Sequence, residues 1–184
     1  MRIIAGTYRG RVLQAPDGLA TRPTSDRLRE TLFNVLAPRI QGATFLDLYA
    51  GPGALGIEAL SRGASRAIFV ERAKPALCVL SANLARLDIS SGFRVDAISA
   101  AGFLRRPHLE TFDIVFLDPP YDAKKEYEVS LTQLGTLSTQ LLSPAALVIA
   151  EHHHKEPLAD TYATLQRTRI LKQGESALSF YSKR

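Results

Sequence analysis

The sequence predicts an α/β fold: a doubly wound, mostly parallel sheet preceded by a small basic hairpin-and-helix extension. Three observations carry this. From Ala43 onward, short apolar runs alternate with helical stretches; glycines and prolines fall between them; and the first 40 residues break the rhythm while holding most of the net charge. Alternating strand and helix gives a parallel sheet covered on both faces.

The extension comes first. Arg2–Gly6 and Gly10–Leu13 are strand-like runs about a glycine-containing turn, a hairpin pattern. Pro16, Asp17 and Gly18 break the chain, and Thr24-Ser25-Asp26 offers helix caps. Leu28, Leu32, Phe33 and Leu36 then follow at helical spacing up to Pro38. In the main body the predicted strands are Thr44–Tyr49, Arg66–Glu71, Gly92–Ile98, Phe112–Leu117, Ala146–Glu151, Thr164–Lys172 and Ala177–Tyr181. Helical patterns cover Ala54–Ser61, Pro75–Leu87 and Tyr127–Leu134. Only Gln173-Gly174-Glu175 joins the last two strands, so they should pair antiparallel at an edge.

At 184 residues the chain has the size of one domain, expected as an extension over 1–40 and a core over 41–184. Its 46% hydrophobic and 22% charged residues suit a soluble protein with a real core. No stretch reaches the roughly 18 apolar residues of a membrane span, and no secretory signal pattern opens the sequence, so a cytoplasmic protein is expected. Cys78 is the only cysteine, which excludes an internal disulfide and a thiolate metal cage; on its apolar helix it reads as core. Residues 1–40 hold seven arginines against three acids, +4 of the total +5. Such a patch suits a polyanion, because phosphate contacts release counterions; charge alone equally allows a solvated arginine-rich surface.

Two motifs carry chemistry. In Asp47-Leu48-Tyr49-Ala50-Gly51-Pro52-Gly53-Ala54-Leu55-Gly56 a buried strand enters a glycine-rich turn that opens a helix. The pattern alone fits nicotinamide and flavin cofactors too. Asp47 shifts the balance, since a carboxylate at the strand end meets a cationic amino group and serves no pyrophosphate. Glu71, closing the next strand, can take both hydroxyls of a ribose. The second motif is Asp118-Pro119-Pro120-Tyr121, delivered by the apolar strand Phe112–Leu117 at its carboxyl end, where open parallel sheets bind ligands. The lone pair of an exocyclic amine is delocalised into its ring. The Asp118 carboxylate and the Pro119 carbonyl, accepting its two N–H bonds, return electron density to nitrogen. The prolines preset the backbone, and Tyr121 offers a flat face to a base drawn from its stack.

Together these motifs resemble the class I amino-methyltransferases, a Rossmann-like fold. A more specific likeness lies in Arg2-Ile3-Ile4-Ala5-Gly6, Arg9-Gly10-Arg11, Arg22-Pro23-Thr24-Ser25-Asp26-Arg27-Leu28-Arg29-Glu30, Phe33-Asn34, Leu46–Ala64 and Gly174–Tyr181. These resemble the bacterial 16S rRNA (guanine-N2)-methyltransferases along essentially the whole chain. The resemblance implies S-adenosylmethionine over the first glycine loop, with Asp47, Tyr49, Gly51, Gly53, Glu71, Ser99 and Asp118 around it. It implies Asp118, Pro119, Pro120 and Tyr121 at the target amine, and a monomer acting on the small ribosomal subunit or its precursor. Arg2, Arg9, Arg11, Arg22, Arg27 and Arg29 are the candidate RNA grip. Two departures stand out. Pro52 replaces a usual serine, and Ser99 takes the place of an Asp or Asn near the adenine, with Asp96 expected inside its strand.

His152-His153-His154 is not read as a metal site, because successive side chains of an extended segment face opposite ways. Lys124-Lys125 fits a solvated loop better than a phosphate contact. The alternatives kept open are an amino-methyltransferase for DNA adenine N6 or a protein amide, a nicotinamide-dependent oxidoreductase, and a non-catalytic RNA-binding module.

Overall fold

The computed structural model describes residues 1–15, 25–120 and 124–184; Arg22 and Tyr121 of the expected functional set lie outside the described residues. The chain forms two compact units, Met1–Ser99 and Ala100–Arg184.

The first unit begins with the expected hairpin. Arg2 bridges Val12 in antiparallel fashion, the Ile3 N–H donates to the Arg11 carbonyl at 2.9 Å, and that of Leu13 to Met1 at 2.9 Å. Then come α1 (Asp26–Ile40), β1 (Thr44–Asp47), α2 (Ala54–Ser61), β2 (Arg66–Val70), α3 (Lys74–Arg86) and β3 (Phe93–Asp96). Ser25 caps α1, its hydroxyl accepting the Leu28 N–H at 3.1 Å, a bond worth about 1 kcal/mol in comparable helices. The helix runs through Pro38 to Ile40, two residues beyond the expected stop. Its missing N–H costs one bond in the last turn, and Ile40, 5% exposed, still reaches the core. β1 and β3 flank β2, both parallel to it, with Asp47 level with Phe69 and Val70 with Asp96. Phe33 and Phe45 stack at 6.3 Å between ring centres, joining α1 to the sheet.

The hairpin is fastened to α2. Buried Glu58 accepts the N–H groups of Ile4 at 2.8 Å and Ala5 at 3.0 Å. Ser61 Oγ donates to the Ala5 carbonyl at 2.6 Å and accepts from the Tyr8 N–H at 3.0 Å. Gly6 has φ +85°, and a Cβ there would stand 1.7 Å from the Ser61 carbonyl oxygen.

The second unit holds α4 (Ala100–Leu104), β4 (Phe112–Leu117), α5 (Lys124–Thr136), α6 (Ser138–Leu141), β5 (Leu142–His153), β6 (Thr161–Tyr162), β7 (Leu165–Gln173) and β8 (Ser176–Lys183). β4 and β5 are parallel, with Leu117 level with Ala150. β7 and β8 pair antiparallel across the expected turn. β8 inserts between β5 and β7, antiparallel to both, and the two-residue β6 pairs with β7. β5 begins four residues earlier than predicted because Leu142 already pairs with Phe112. Lys124 and Lys125 open α5 rather than lying in a loop, and Lys124 Nζ pairs with Glu156 at 2.9 Å. No helix among the described residues is long and apolar enough to cross a membrane.

Candidate active site

β1 carries Asp47 to its carboxyl end, and the chain turns through Tyr49, Gly51 and Gly53 into α2. The Gly53 N–H donates to the Ala50 carbonyl at 2.8 Å, closing the turn. Gly51 and Gly53 have φ of +52° and +85°, which L side chains rarely adopt. The three glycines divide the work. A Cβ on Gly53 would meet Leu80 of α3 at 2.3 Å and one on Gly56 would meet Phe69 of β2 at 2.2 Å, so the first lets the turn pack against a helix and the second lets α2 pack against a strand. A Cβ on Gly51 would meet nothing within 4 Å. That open face is where a ligand can approach the loop.

Asp47 is 3% exposed and takes the place of a side-chain cap on α2: its Oδ2 accepts the Gly56 N–H at 3.3 Å, and the Tyr49 backbone N–H also donates to the carboxylate. Burial nevertheless dominates and, with Glu71 adding repulsion against the two hydrogen bonds, pushes its carboxyl up to about 7. An acid held there is short of a positive partner. Glu71, one residue past β2, bridges two loops. Its Oε2 accepts the Gly51 N–H at 2.8 Å, and its Oε1 accepts those of Arg72 and Ala73, each at 2.8 Å. A carboxylate offers about four acceptor sites, so a diol reaching Glu71 finds one free on Oε2 and competes with Gly51 for the other. Asp96 is the last residue of β3, with its Oδ2 accepting from Arg94 Nε at 2.8 Å. Ser99 follows, half-buried, just before α4.

In the second unit β4 delivers Asp118 half-buried, Pro119 buried and Pro120 exposed. Beside them β5 carries Glu151, 2% exposed, whose Oε1 accepts from Ser176 Oγ at 3.2 Å, while the Tyr127 hydroxyl donates to the Glu151 carbonyl at 2.7 Å. His152 is equally buried and bonded to Ser179 Oγ at 2.8 Å; burial lowers its pKa, keeping the ring neutral.

Two expectations need correction. Arg29 is fully buried: its Nη2 donates to the Arg2 carbonyl at 2.6 Å and to Asp26 Oδ1 at 2.8 Å. A guanidinium with no exposed surface cannot grip a phosphate from solvent, so Arg29 joins hairpin to helix instead. Arg2, Arg9, Arg11 and Arg27 are exposed, as a grip requires. Cys78 is exposed rather than core, because the buried stripe of α3 runs through Ala76, Leu80, Asn83 and Leu84. Asp96 lies in its strand, at the last position. Sequence reasoning passed over Glu58, Asn83 and Glu151. A polar residue on the apolar stripe of α3 was the available signal for Asn83.

Over its whole length the chain is similar to a solved Escherichia coli structure described as "Putative methyltransferase yhhF": 36% identity, TM-score 0.87, covering 100% of this chain and 98% of that one. The class is therefore the Rossmann-like methyltransferases. "Putative rRNA methyltransferase YlbH" of Bacillus subtilis is 39% identical over 188 residues, all of both chains. "Ribosomal RNA small subunit methyltransferase D" of Haemophilus influenzae is 38% identical over 185 residues, 98% of this chain and 91% of that one. The family described as Conserved hypothetical protein 95 matches residues 1–182, and the chain belongs to it.

Proposed function

We propose that the protein transfers a methyl group from S-adenosylmethionine to the exocyclic N2 of a guanine in 16S ribosomal RNA. The observation that carries this reading is the buried Asp47 carboxylate on the Gly56 N–H, in the same turn as the open face of Gly51, which Glu71 holds at 2.8 Å. A cationic amine, an unhindered backbone approach and a ribose diol fit that set. A relative named for small-subunit rRNA methylation, matched over 98% of this chain, supports the substrate class.

S-adenosylmethionine, when bound, supplies an electrophilic sulfonium methyl, so orientation and amine activation matter more than acid–base machinery. Asp47 holds the amino group, Gly51 gives access, and Glu71 accepts a ribose hydroxyl; Tyr49 and Ser99 complete this set. Asp118 Oδ and the Pro119 carbonyl accept the two N–H bonds of the target amine. Pro119 and Pro120 keep that backbone fixed, and Tyr121 stacks on the base. Arg2, Arg9, Arg11, Arg22 and Arg27 hold the RNA backbone. The family match runs through both units, residues 1–182.

The test supplies S-adenosylmethionine with a labelled methyl group to small ribosomal subunits lacking their natural methylations. N2-methylguanosine in the digest is expected. Label on adenine or cytosine would overturn the base assignment, and label only on DNA or protein would overturn the substrate class. Asp118→Ala is expected to cut turnover by at least 100-fold, on the scale of a lost positioning interaction, while S-adenosylhomocysteine affinity stays within threefold. Equal losses would remove Asp118 from the amine.

A further inference from the structure

We infer that Asn83 is a positioning residue that links the cofactor loop to the basic extension, so that cofactor and RNA bind cooperatively. The inference rests on the functional reading above and concerns how its two substrates communicate. Asn83 lies on α3 with no exposed surface. Its Oδ1 accepts the Gln14 N–H at 2.8 Å. Its Nδ2 donates to the Gln14 carbonyl at 3.1 Å and to the Pro52 carbonyl at 3.0 Å.

One planar amide thus holds two segments that the sequence keeps far apart. Toward Gln14 it imitates a neighbouring strand, accepting and donating as a β ladder does. Toward Pro52 it grips the residue between Gly51 and Gly53. The amide orientation follows from its partners: one N–H needs an acceptor and two carbonyls need donors, so the reverse assignment satisfies none of them. Gln14 follows Leu13, which is bonded to Met1 across the hairpin, so the grip on Gln14 is a grip on the arm that carries Arg11. The Pro52 carbonyl belongs to the planar peptide unit that runs on to Gly53, so it moves with the loop.

A ligand settling over Gly51 therefore acts on Pro52, and the Asn83 amide carries the displacement or the stiffening to Gln14. Linkage makes the effect reciprocal: if cofactor tightens RNA binding, RNA tightens cofactor binding by the same factor. Neither an apolar nor an acidic side chain at this position does the same work. Leucine fits the apolar stripe but leaves three backbone groups unpaired, and aspartate accepts from Gln14 yet sets negative oxygen against two carbonyls.

The experiment measures the affinity of undermethylated small ribosomal subunits with and without S-adenosylhomocysteine. In the wild type we expect binding at least about fivefold tighter with it, the lower end of ordinary coupling. In Asn83→Ala and in the isosteric Asn83→Asp the factor should fall below about twofold, with S-adenosylhomocysteine still bound. Hydrogen exchange on the wild type needs neither variant nor RNA: the Gln14 amide should slow when S-adenosylhomocysteine is added. An unchanged Gln14 amide, or full coupling retained in Asn83→Ala, overturns the inference. If methyl transfer to RNA is absent while Gln14 protection still follows the cofactor, the functional reading fails and the Asn83 link stands.

Discussion

With its carboxyl pushed up to about 7 by burial, Asp47 is brought from the ordinary carboxylate range toward neutrality. Its folded-state pKa lies above the unfolded value of about 3.9. The group therefore favours folding below about pH 4, and that contribution is lost as pH rises through 7, a difference on the order of 4 kcal/mol. Asp47→Asn is expected to raise the Tm of the unliganded protein at pH 8 and leave it nearly unchanged at pH 4. Ligand binding has the opposite sign, since a cationic amine prefers the ionised carboxylate. Affinity for S-adenosylhomocysteine should climb from pH 6, peak between about 7 and 8, and decline as the α-amino group loses its own proton. Titration calorimetry across that range reads both limbs, and a flat profile would separate Asp47 from the amine. Asp47 was legible because it stands near the end of a predicted strand, four residues before Gly51, and Glu71 because it closes the next predicted strand. The partners of Asn83 and Glu58 were not, because they lie as far as 69 and 54 residues away and no local period encodes such a distance.

At the scale of elements, the hairpin and α2 behave as one body. Gly6 lies against the Ser61 carbonyl, Glu58 ends two backbone N–H groups, and Arg62 folds back to Glu58 at 2.7 Å. Gly6→Ala cannot be accommodated without lifting the hairpin, so urea unfolding should show a loss of about 1–3 kcal/mol. The amides of Ile3 and Leu13 should lose exchange protection before those of β1 and β2. Equal protection in variant and wild type would mean the hairpin does not depend on this seat. The strand–helix alternation was readable because the period of side-chain exposure changes between 2 and 3.6. The place of β8 between β5 and β7 was not, because a short turn specifies an antiparallel neighbour on one side and leaves the other side to packing. Pro38 misled for a related reason: proline marks an unfavourable bond, and the burial of Ile40 outweighs it.

For the whole molecule the open quantity is how charge is used. Seven of the arginines fall in the first 40 residues, yet only exposed ones can exchange counterions for phosphate. Sequence reading counted Arg29 with the others, because composition records a charge and not its burial. The structure separates them: Arg2, Arg9, Arg11 and Arg27 face solvent, while Arg29 is spent on Asp26 and the Arg2 carbonyl. The two groups should differ in one measurable way. RNA affinity falls with salt by a logarithmic slope of about 0.7 per phosphate neutralised on a single strand. Replacing Arg2, Arg9, Arg11 and Arg27 by glutamine should lower that slope by about 3 and weaken binding most at low salt. Arg29→Met should leave the slope unchanged and register in thermal stability instead, since it removes the tie between α1 and the hairpin. A slope that survives the fourfold replacement would move the RNA grip away from the extension, and a slope that drops with Arg29→Met would return Arg29 to it.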